Sequence, residues 1–245
     1  MPPDSIAAAV DALVEAHRTG KLVPPDDSGP RNVAEAYEVQ RRVLGRLASG
    51  ARPAAWKVSP ATEPLASPVP GPVHRSPARL EAGRRTVLGI EAEIAFRFAA
   101  TPREDATAAQ VRAAVGEMVV LIELCETRLA SAAQAPAMWK LADFQSHGAF
   151  VTGSGTRQLD RDFTTQRVEL EIDGRREVSA AAAHPTLRLW EMVAWAVGHC
   201  AGRGMPLRAG DIVTTGSWTG IVPLACGEEA VARFPGIGEA RLALI

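Results

Sequence analysis

The sequence is poor in cysteine and has no long apolar run. Its three cysteines, Cys125, Cys200 and Cys226, are widely spaced and form no Cys-x-x-Cys pair, which argues against a disulfide framework and fits a reducing compartment. No stretch approaches the roughly 20 apolar residues of a membrane span, and acids interrupt the apolar N-terminal segment, unlike a signal peptide. We therefore expect a cytoplasmic protein without a membrane partner, in which all three cysteines are buried as small hydrophobic residues.

An excess of charge of one sign is also missing. The chain has 27 basic and 28 acidic residues, a net charge of −1, and no basic block or alternation of aromatic and basic residues. This composition argues against a nucleic-acid partner and favours a small molecule. With 47% apolar residues, the 245-residue chain can bury a substantial core.

The segment at residues 89–96, GIEAEIAF, places two acids in an apolar run. Successive side chains of a strand alternate between its faces, so Glu91 and Glu93 are predicted on one face and the isoleucines on the other. An edge strand with a polar outer face is one interpretation. If the face lines a pocket instead, a shared proton or a cation must relieve the repulsion between the two carboxylates.

A second apolar run begins at residue 119, and Glu123 is the single acid that interrupts its apolar part, residues 119–125. An acid in such a run has to be paired. Together with Glu91 and Glu93 it would form a cage of three carboxylates that suits Mg²⁺ or Mn²⁺, completed by water and an oxygen-bearing ligand. Zinc is not favoured, because we expect neither His nor Cys beside these acids at ligand spacing.

Lys57 is the only charge in the short predicted strand at residues 54–59. A lysine flanked by apolar neighbours can extend its ammonium to solvent, which is one interpretation. Six prolines follow between residues 60 and 78, so we predict an irregular loop there that forms a pocket wall or a lid.

Two further segments carry polar groups that are candidates for the site. Asp143 and Ser146 are interpreted as polar pocket lining, with a structural hydrogen-bonding role as the alternative. Ser146 precedes His147, but adjacent residues of an extended segment face opposite ways and no Gly-x-Ser-x-Gly elbow occurs, which excludes a serine hydrolase. The strand at residues 210–217 leads into a glycine-rich turn, where backbone N–H groups and the Thr215 hydroxyl would receive a carboxylate.

Helical periodicity predicts amphipathic helices at residues 4–18 and 33–47, the second capped by Asn32. Further helices are expected at 107–115 and 186–200. Asp173-Gly174 predicts a hairpin, and residues 222–245 alternate like strands that close the sheet.

Six motifs occur in one order along the chain. They are Trp56-Lys57-Val58; residues 89–96 with both glutamates; Ile122-Glu123 with Arg128; Leu141-Ala142-Asp143 with Ser146 and Gly148; His184-Pro185; and Pro206–Gly216. In this order they resemble the 2-keto-4-pentenoate hydratase branch of the fumarylacetoacetate hydrolase superfamily, from about residue 33 to Leu244.

The resemblance implies an α+β fold, a mixed and highly curved β-sheet roll. An N-terminal helical segment, residues 1–50, would pack on a β-roll catalytic domain, residues 51–245, and chains would form a homo-oligomer. Lys57 would be the active-site lysine, with Asp143 and Ser146 as further catalytic residues, and Thr215, Gly216 and Ser217 would bind substrate.

The reaction implied is hydration of a 2-hydroxy-2,4-dienoate to a 4-hydroxy-2-keto acid through a metal-stabilised enolate, with Glu91, Glu93 and Glu123 holding Mg²⁺ or Mn²⁺. Lys57, desolvated beside the metal, is expected to have its pKa brought toward neutrality and to carry the proton. Alternatives are metal-dependent decarboxylation of a 2-oxo-hexenedioate (4-oxalocrotonate), another 2-keto acid reaction of the superfamily, and a non-catalytic keto-acid-binding protein.

The chain departs from the hydratase pattern at four positions. Val69 stands where hydratases usually carry Asp, Ser59 replaces a Gly, Phe144 replaces an Asn, and Trp218 lies in the terminal turn. We expect metal binding to survive these changes. An altered substrate, or another reaction that proceeds through the same enolate, stays open.

Overall fold

The computed structural model describes residues 5–48, 51–61, 63–83 and 86–245. Within them the chain forms five helices and twelve strands. The helices are α1 (Ser5–Thr19), α2 (Val33–Leu47), α3 (Ala108–Ala114), α4 (Ala137–Ala142) and α5 (Leu189–Gly202). The strands are β1 (Ala55–Ser59), β2 (Leu65–Pro68), β3 (Val73–Arg75), β4 (Ala78–Leu80), β5 (Val87–Phe98), β6 (Val115–Glu126), β7 (His147–Thr156), β8 (Arg167–Ile172), β9 (Arg175–Ala181), β10 (Ile212–Ser217), β11 (Glu229–Phe234) and β12 (Gly238–Leu244).

Seven strands form the larger sheet, in the order β2-β1-β10-β5-β6-β7-β3. The pairs β1/β10 and β3/β7 are parallel and the others antiparallel, so the sheet is mixed. Two of its strands, β5 and β6, are twelve residues long. The sheet is curled and shares a core with the second sheet. The predicted α+β fold with a mixed, curved sheet is confirmed.

The second sheet has five strands in the order β4-β12-β11-β8-β9. The main core fills the space between the two sheets and α5, and its buried side chains include Trp56, Ile94, Phe96, Leu170, Val193 and Phe234. The Asp173-Gly174 hairpin between β8 and β9 is confirmed, with both residues at positive φ, +50° and +74°.

The two N-terminal helices belong to a separate apolar core. Leu13 of α1 and Val43 of α2 are fully buried there, and Trp139 of α4 packs beside them. The predicted cap of α2 is confirmed, because the Asn32 side chain accepts a hydrogen bond from the Glu35 N–H at 2.9 Å. The predicted helix at residues 4–18 is found as α1 from Ser5, and residue 4 lies outside the described residues.

The division at residue 50 stays a prediction. The helical segment does not pack alone, since its core includes α4, which comes almost ninety residues later. Within the described ranges, none of the helices is both long and apolar enough to cross a membrane.

Two expectations about the chain are wrong. The proline-rich segment contains β2 and β3 and leads into β4, because Pro68 is the last residue of an edge strand, where a missing N–H costs no ladder bond. Cys226 is exposed, since it lies in the turn before β11, whereas Cys125 and Cys200 are buried.

Candidate functional site

The register of β5 and β6 brings the predicted acids together. Glu91 lies directly opposite Glu123, and Glu93 follows two residues later on the same face. Glu93 and Glu123 are fully buried, and 13% of the Glu91 side chain is exposed. The three carboxylates that the sequence predicted on one face do share it.

Lys57 of β1 completes what we call the lysine–carboxylate cluster, Lys57, Glu91, Glu93 and Glu123. Its Nζ lies 2.8 Å from Glu123 Oε2 and 3.6 Å from Glu91 Oε2. Nζ also donates a hydrogen bond to the Gln145 main-chain carbonyl at 3.1 Å. The ammonium is therefore buried, and the interpretation of a lysine reaching solvent is wrong.

The electrostatics of the cluster reflect an excess of negative charge. Burial by itself lowers the pKa of Lys57, but Glu123 and the neighbouring acids outweigh burial and raise that pKa. Without a cation among the carboxylates, the expected shift toward neutrality is thus reversed. Burial raises the pKa of Glu123 to about 7 against the opposing effect of Lys57. Burial, Glu123 and Glu91 raise the pKa of Glu93 well above its usual range.

Glu93 supplies the test of whether a cation fits. Its Oε2 accepts a hydrogen bond from the Gly216 N–H at 3.2 Å, whereas its buried Oε1 has no hydrogen-bond partner among the described residues. An unpaired buried carboxylate oxygen beside two further acids is a donor set that suits a hard divalent cation. The residues present fit such an ion.

Two further side chains, which the sequence analysis did not expect beside the acids, adjoin the cluster. Cys125 follows Glu123 on the same face, and the ligand atoms of Glu91, Glu123 and Cys125 all lie within 4.8 Å of one another. His147 Nδ1 lies 3.0 Å from Glu123 Oε1. The expectation that neither Cys nor His lies beside the acids is wrong. For Cys125, the period of two along β6 was an available signal.

A cavity of about 660 Å³ opens onto the cluster. Its charged lining residues are Lys57, Glu91 and Glu93, and Lys57 is the only cation among the described residues that line it. The other lining residues are Cys125; the polar Ser59, Gln145, Ser146, Ser217 and Thr219; the apolar Pro60, Val178, Ala180, Ala183, Pro185, Trp218 and Ile221; and Gly216 and Gly220.

Asp143 does not line this cavity. It is fully buried, and Arg128 donates to its two carboxylate oxygens from Nε at 2.5 Å and from the backbone N–H at 3.0 Å. Burial raises the pKa of Asp143, and Arg128 opposes that shift. The structure thus places Asp143 in a buried arginine–aspartate pair, apart from the residues that line the cavity.

The end of β10 is arranged differently from the predicted anion site. The Thr215 hydroxyl is buried and donates to the Ile94 carbonyl at 3.3 Å, and the Gly216 N–H is committed to Glu93. Gly216 has φ +97°, and a Cβ there would lie 2.6 Å from Pro60 Cδ, so the position requires glycine. Gly216 and Ser217 line the cavity, but Thr215 does not.

A left-handed turn leads from Asp143 to the cavity. Phe144, Gln145 and Ser146 have φ of +52°, +55° and +59°, a region that costs a non-glycine residue about 1–3 kcal/mol. Phe144 is fully buried in the helical core, whereas Gln145 and Ser146 line the cavity. Sequence reasoning missed Gln145, because none of these residue types signals a left-handed conformation.

The fold and the site define the class of protein. The sequence model of the fumarylacetoacetate (FAA) hydrolase C-terminal family matches residues 36–244, and the chain belongs to this family.

Two relatives are similar over nearly their whole length. The chain is 29% identical to a TodF product hydratase of Pseudomonas putida, covering 96% of this chain and 93% of the relative. It is 26% identical to a 2-hydroxyhexa-2,4-dienoate hydratase of Comamonas testosteroni, covering 92% of each. Among solved structures, a 4-oxalocrotonate decarboxylase from Pseudomonas putida G7, complexed with magnesium and adipate, superposes with a TM-score of 0.85 at 22% identity, covering 100% of this chain and 99% of that one. At that identity the superposition shows the shared fold.

Proposed function

We propose that this protein is a metal-dependent hydro-lyase that adds water to a 2-hydroxy-2,4-dienoate. The observation that carries the proposal is the lysine–carboxylate cluster at the floor of the cavity, in which three acids face one lysine and one buried carboxylate oxygen is unpaired. The two hydratase relatives support the same reaction class.

Glu91, Glu93 and Glu123 would hold the divalent cation, Mg²⁺ or Mn²⁺. Oxygen donors favour such hard ions, and the decarboxylase of the same fold is complexed with magnesium. A bound cation would polarise the carboxylate and the 2-oxygen of the substrate and stabilise the negative charge of the enolate.

The chain's own residues would bind and orient the substrate and exchange protons with it. Lys57 Nζ stands at the cavity floor. Once a cation offsets the charge of the acids that raise its pKa, Lys57 would be present as the free amine, take the proton of the substrate 2-hydroxyl and return that proton to carbon. Ser146 and Ser217 present hydroxyl groups to the same cavity and would orient the substrate and the attacking water. The contacts of Asp143 and Thr215 argue against direct roles for those two residues.

The lining of the cavity favours hydration over decarboxylation of 4-oxalocrotonate. A dicarboxylic substrate needs a cation for its second carboxylate, because a buried unpaired charge is costly. Lys57 already faces the acids, and the wall contributed by β9 and by the segment after β10 is apolar, with Val178, Ala180 and Ile221. A monocarboxylic dienoate with a short apolar tail matches this wall.

Two further properties are proposed, the assembly from the family resemblance and the compartment from the three widely spaced cysteines. The chain would assemble into a homo-oligomer and act in the cytoplasm on a small-molecule acid. Light scattering tests the assembly, and a monodisperse monomer would contradict it.

A panel of acids assayed by ultraviolet absorbance, with Mg²⁺ and with Mn²⁺, tests the reaction. We expect loss of the dienoate chromophore for 2-hydroxypenta-2,4-dienoate and its alkyl derivatives, and none without metal. Release of CO₂ from 4-oxalocrotonate as the main reaction would favour the decarboxylase instead. Saturable binding of keto acids without turnover of any dienoate would identify a binding protein.

A further inference from the structure

Gln145 contacts both members of a cross-strand pair at the cavity floor. Lys57 on β1 and Ser67 on β2 are directly opposite each other, so their side chains share one face. The Gln145 carbonyl accepts the hydrogen bond from Lys57 Nζ at 3.1 Å, and its side-chain Nε2 donates to Ser67 Oγ at 2.9 Å. One residue therefore links the lysine to the neighbouring strand.

Ser67 also accepts a hydrogen bond from a residue of the helical core. Gln40 of α2 is buried and its Nε2 donates to Ser67 Oγ at 2.8 Å, and also to the Leu141 carbonyl. A hydroxyl oxygen has two acceptor lone pairs, and the two glutamine amides use both. Gln40, Ser67 and Gln145 thus form a polar chain from α2 to the cavity.

The hydrogen-bonded residues Gln40, Ser67 and Gln145 stabilise the left-handed turn. Three consecutive non-glycine residues at positive φ persist only where the surroundings fix them. Burial of Phe144 anchors one end of the turn, and the Gln145–Ser67 hydrogen bond fixes its centre. The turn conformation directs the Gln145 carbonyl at Nζ.

We propose that Gln145 is a positioning residue that, fixed by Ser67 and Gln40, holds the Lys57 ammonium for proton transfer. The inference rests on the proposed role of Lys57. Among its partners in the described part of the chain, Nζ faces Glu91, Glu123 and the Gln145 carbonyl, and the two acids are the proposed metal ligands. The carbonyl is the partner that stays available when those oxygens bind a cation.

Ser67→Ala removes the anchor without changing Gln145 or the cluster. We expect kcat to fall about 10- to 100-fold, the range for a small misplacement of a reacting group, with KM and the metal-induced rise of Tm near those of the wild type. A wild-type kcat in a folded Ser67→Ala protein would overturn the proposal.

Gln145→Gly provides a second variant that is not expected to unfold the protein. Glycine relieves the left-handed strain, so Tm should stay level or rise while kcat falls. Ser131→Gly is the matched control, because Ser131 is exposed and also left-handed, at φ +53°. It should gain stability in the same way and keep the wild-type kcat. Equal kcat in both glycine variants would overturn the positioning role.

A double-mutant cycle separates this inference from the proposed function. If Ser67 acts through Lys57, Ser67→Ala should cause no further loss of turnover in a Lys57→Met background. An equal loss in both backgrounds would overturn the positioning role and leave the function intact. Full activity of Lys57→Met alone would overturn the proton-carrier role of Lys57 and this inference with it.

Discussion

Two sets of buried charged side chains lie near each other in this protein, and their charges and hydrogen-bonding atoms are paired to different degrees. In the arginine–aspartate pair, Arg128 donates to both carboxylate oxygens of Asp143 and to the main-chain carbonyls of Asp143 and His147. In the lysine–carboxylate cluster, three acids share one ammonium, and Glu93 Oε1 has no hydrogen-bond partner in the described structure.

This difference in pairing distinguishes a structural ion pair from a candidate functional site. Buried charges that are fully paired fix the positions of the segments that carry them, here the end of β6 and the start of the left-handed turn. A buried cluster with too few partners is held together by the rest of the fold, and its shifted pKa values mark it as a candidate site. Removing a charge should therefore change stability in the first group and turnover in the second.

Lys57→Met should give the largest effect on turnover. Methionine roughly preserves the length of the side chain and removes the charge. At neutral pH, Glu123, with its pKa raised to about 7, can take up a proton in compensation. We expect turnover on the substrate that the panel identifies to fall by about 10²–10⁴-fold, the usual contribution of a general acid or base, with Tm and divalent binding near normal.

The control for Lys57 is Lys57→Arg. Guanidinium stays protonated and cannot cycle a proton, so arginine should not restore turnover. Restored activity would mean that the site needs only a positive charge, and full activity of Lys57→Met would remove the lysine from the mechanism.

Arg128→Met should give the largest loss of stability. It leaves the Asp143 carboxylate buried without its partner, and breaking a buried ion pair costs about 3–5 kcal/mol. Urea unfolding followed by circular dichroism measures the loss. Arg31→Met is the matched control, because the Arg31–Glu35 pair is at the surface with 74% of the arginine side chain exposed, and it should change stability little. Equal effects of the two variants would contradict the comparison.

Much of this contrast was readable from the sequence because strands alternate. The period of two predicted Glu91 and Glu93 on one face, and the apolar run around Glu123 indicated a buried acid in need of partners. The register that sets Glu91 opposite Glu123 is a tertiary property, and the family resemblance implied only that the three acids meet at one metal.

The rest could not be predicted, for physical reasons. Asp143 and Ser146 are three residues apart, and only the left-handed turn between them sends one to Arg128 and the other to the cavity. The Thr215 hydroxyl satisfies a carbonyl of the neighbouring strand, which no local pattern specifies. Ser67 lies in β2, which the sequence analysis missed because the prolines predicted an irregular loop there.

Metal binding should give the next largest change in stability, and this change should depend on the lysine–carboxylate cluster. At a Mg²⁺ or Mn²⁺ concentration of 100 times Kd, an ion that binds only the native state stabilises it by about 2.7 kcal/mol. Calorimetry should show this as a rise in Tm for the wild type, and a much smaller rise for Glu91→Gln and Glu123→Gln. The same rise in all three proteins would place the metal outside the cluster.

Glu93→Gln in the presence of a chelator should show the smallest effect, and its sign is the informative part. The native pKa of Glu93 is raised above the unfolded value, chiefly by burial and then by Glu123 and Glu91. The native state therefore binds the proton more tightly than the unfolded chain, and the associated stability is present below about pH 4.5 and lost as pH rises toward the native pKa. Glutamine resembles the neutral acid and does not titrate, so the variant keeps this contribution to stability as pH rises.

Metal-free Glu93→Gln should consequently gain stability relative to the wild type as pH rises from about 4.5 to 7, by up to about 1.4 kcal/mol for each pH unit over which the native carboxyl keeps a proton that the unfolded chain has lost. Urea unfolding at several pH values measures the difference. With Mg²⁺ at saturation the order should reverse at pH 7, because the cation then stabilises the ionised carboxylate that glutamine lacks. A difference independent of pH in the chelator would show that Glu93 is ionised in the metal-free protein, and the excess of negative charge would then have to be relieved elsewhere in the cluster.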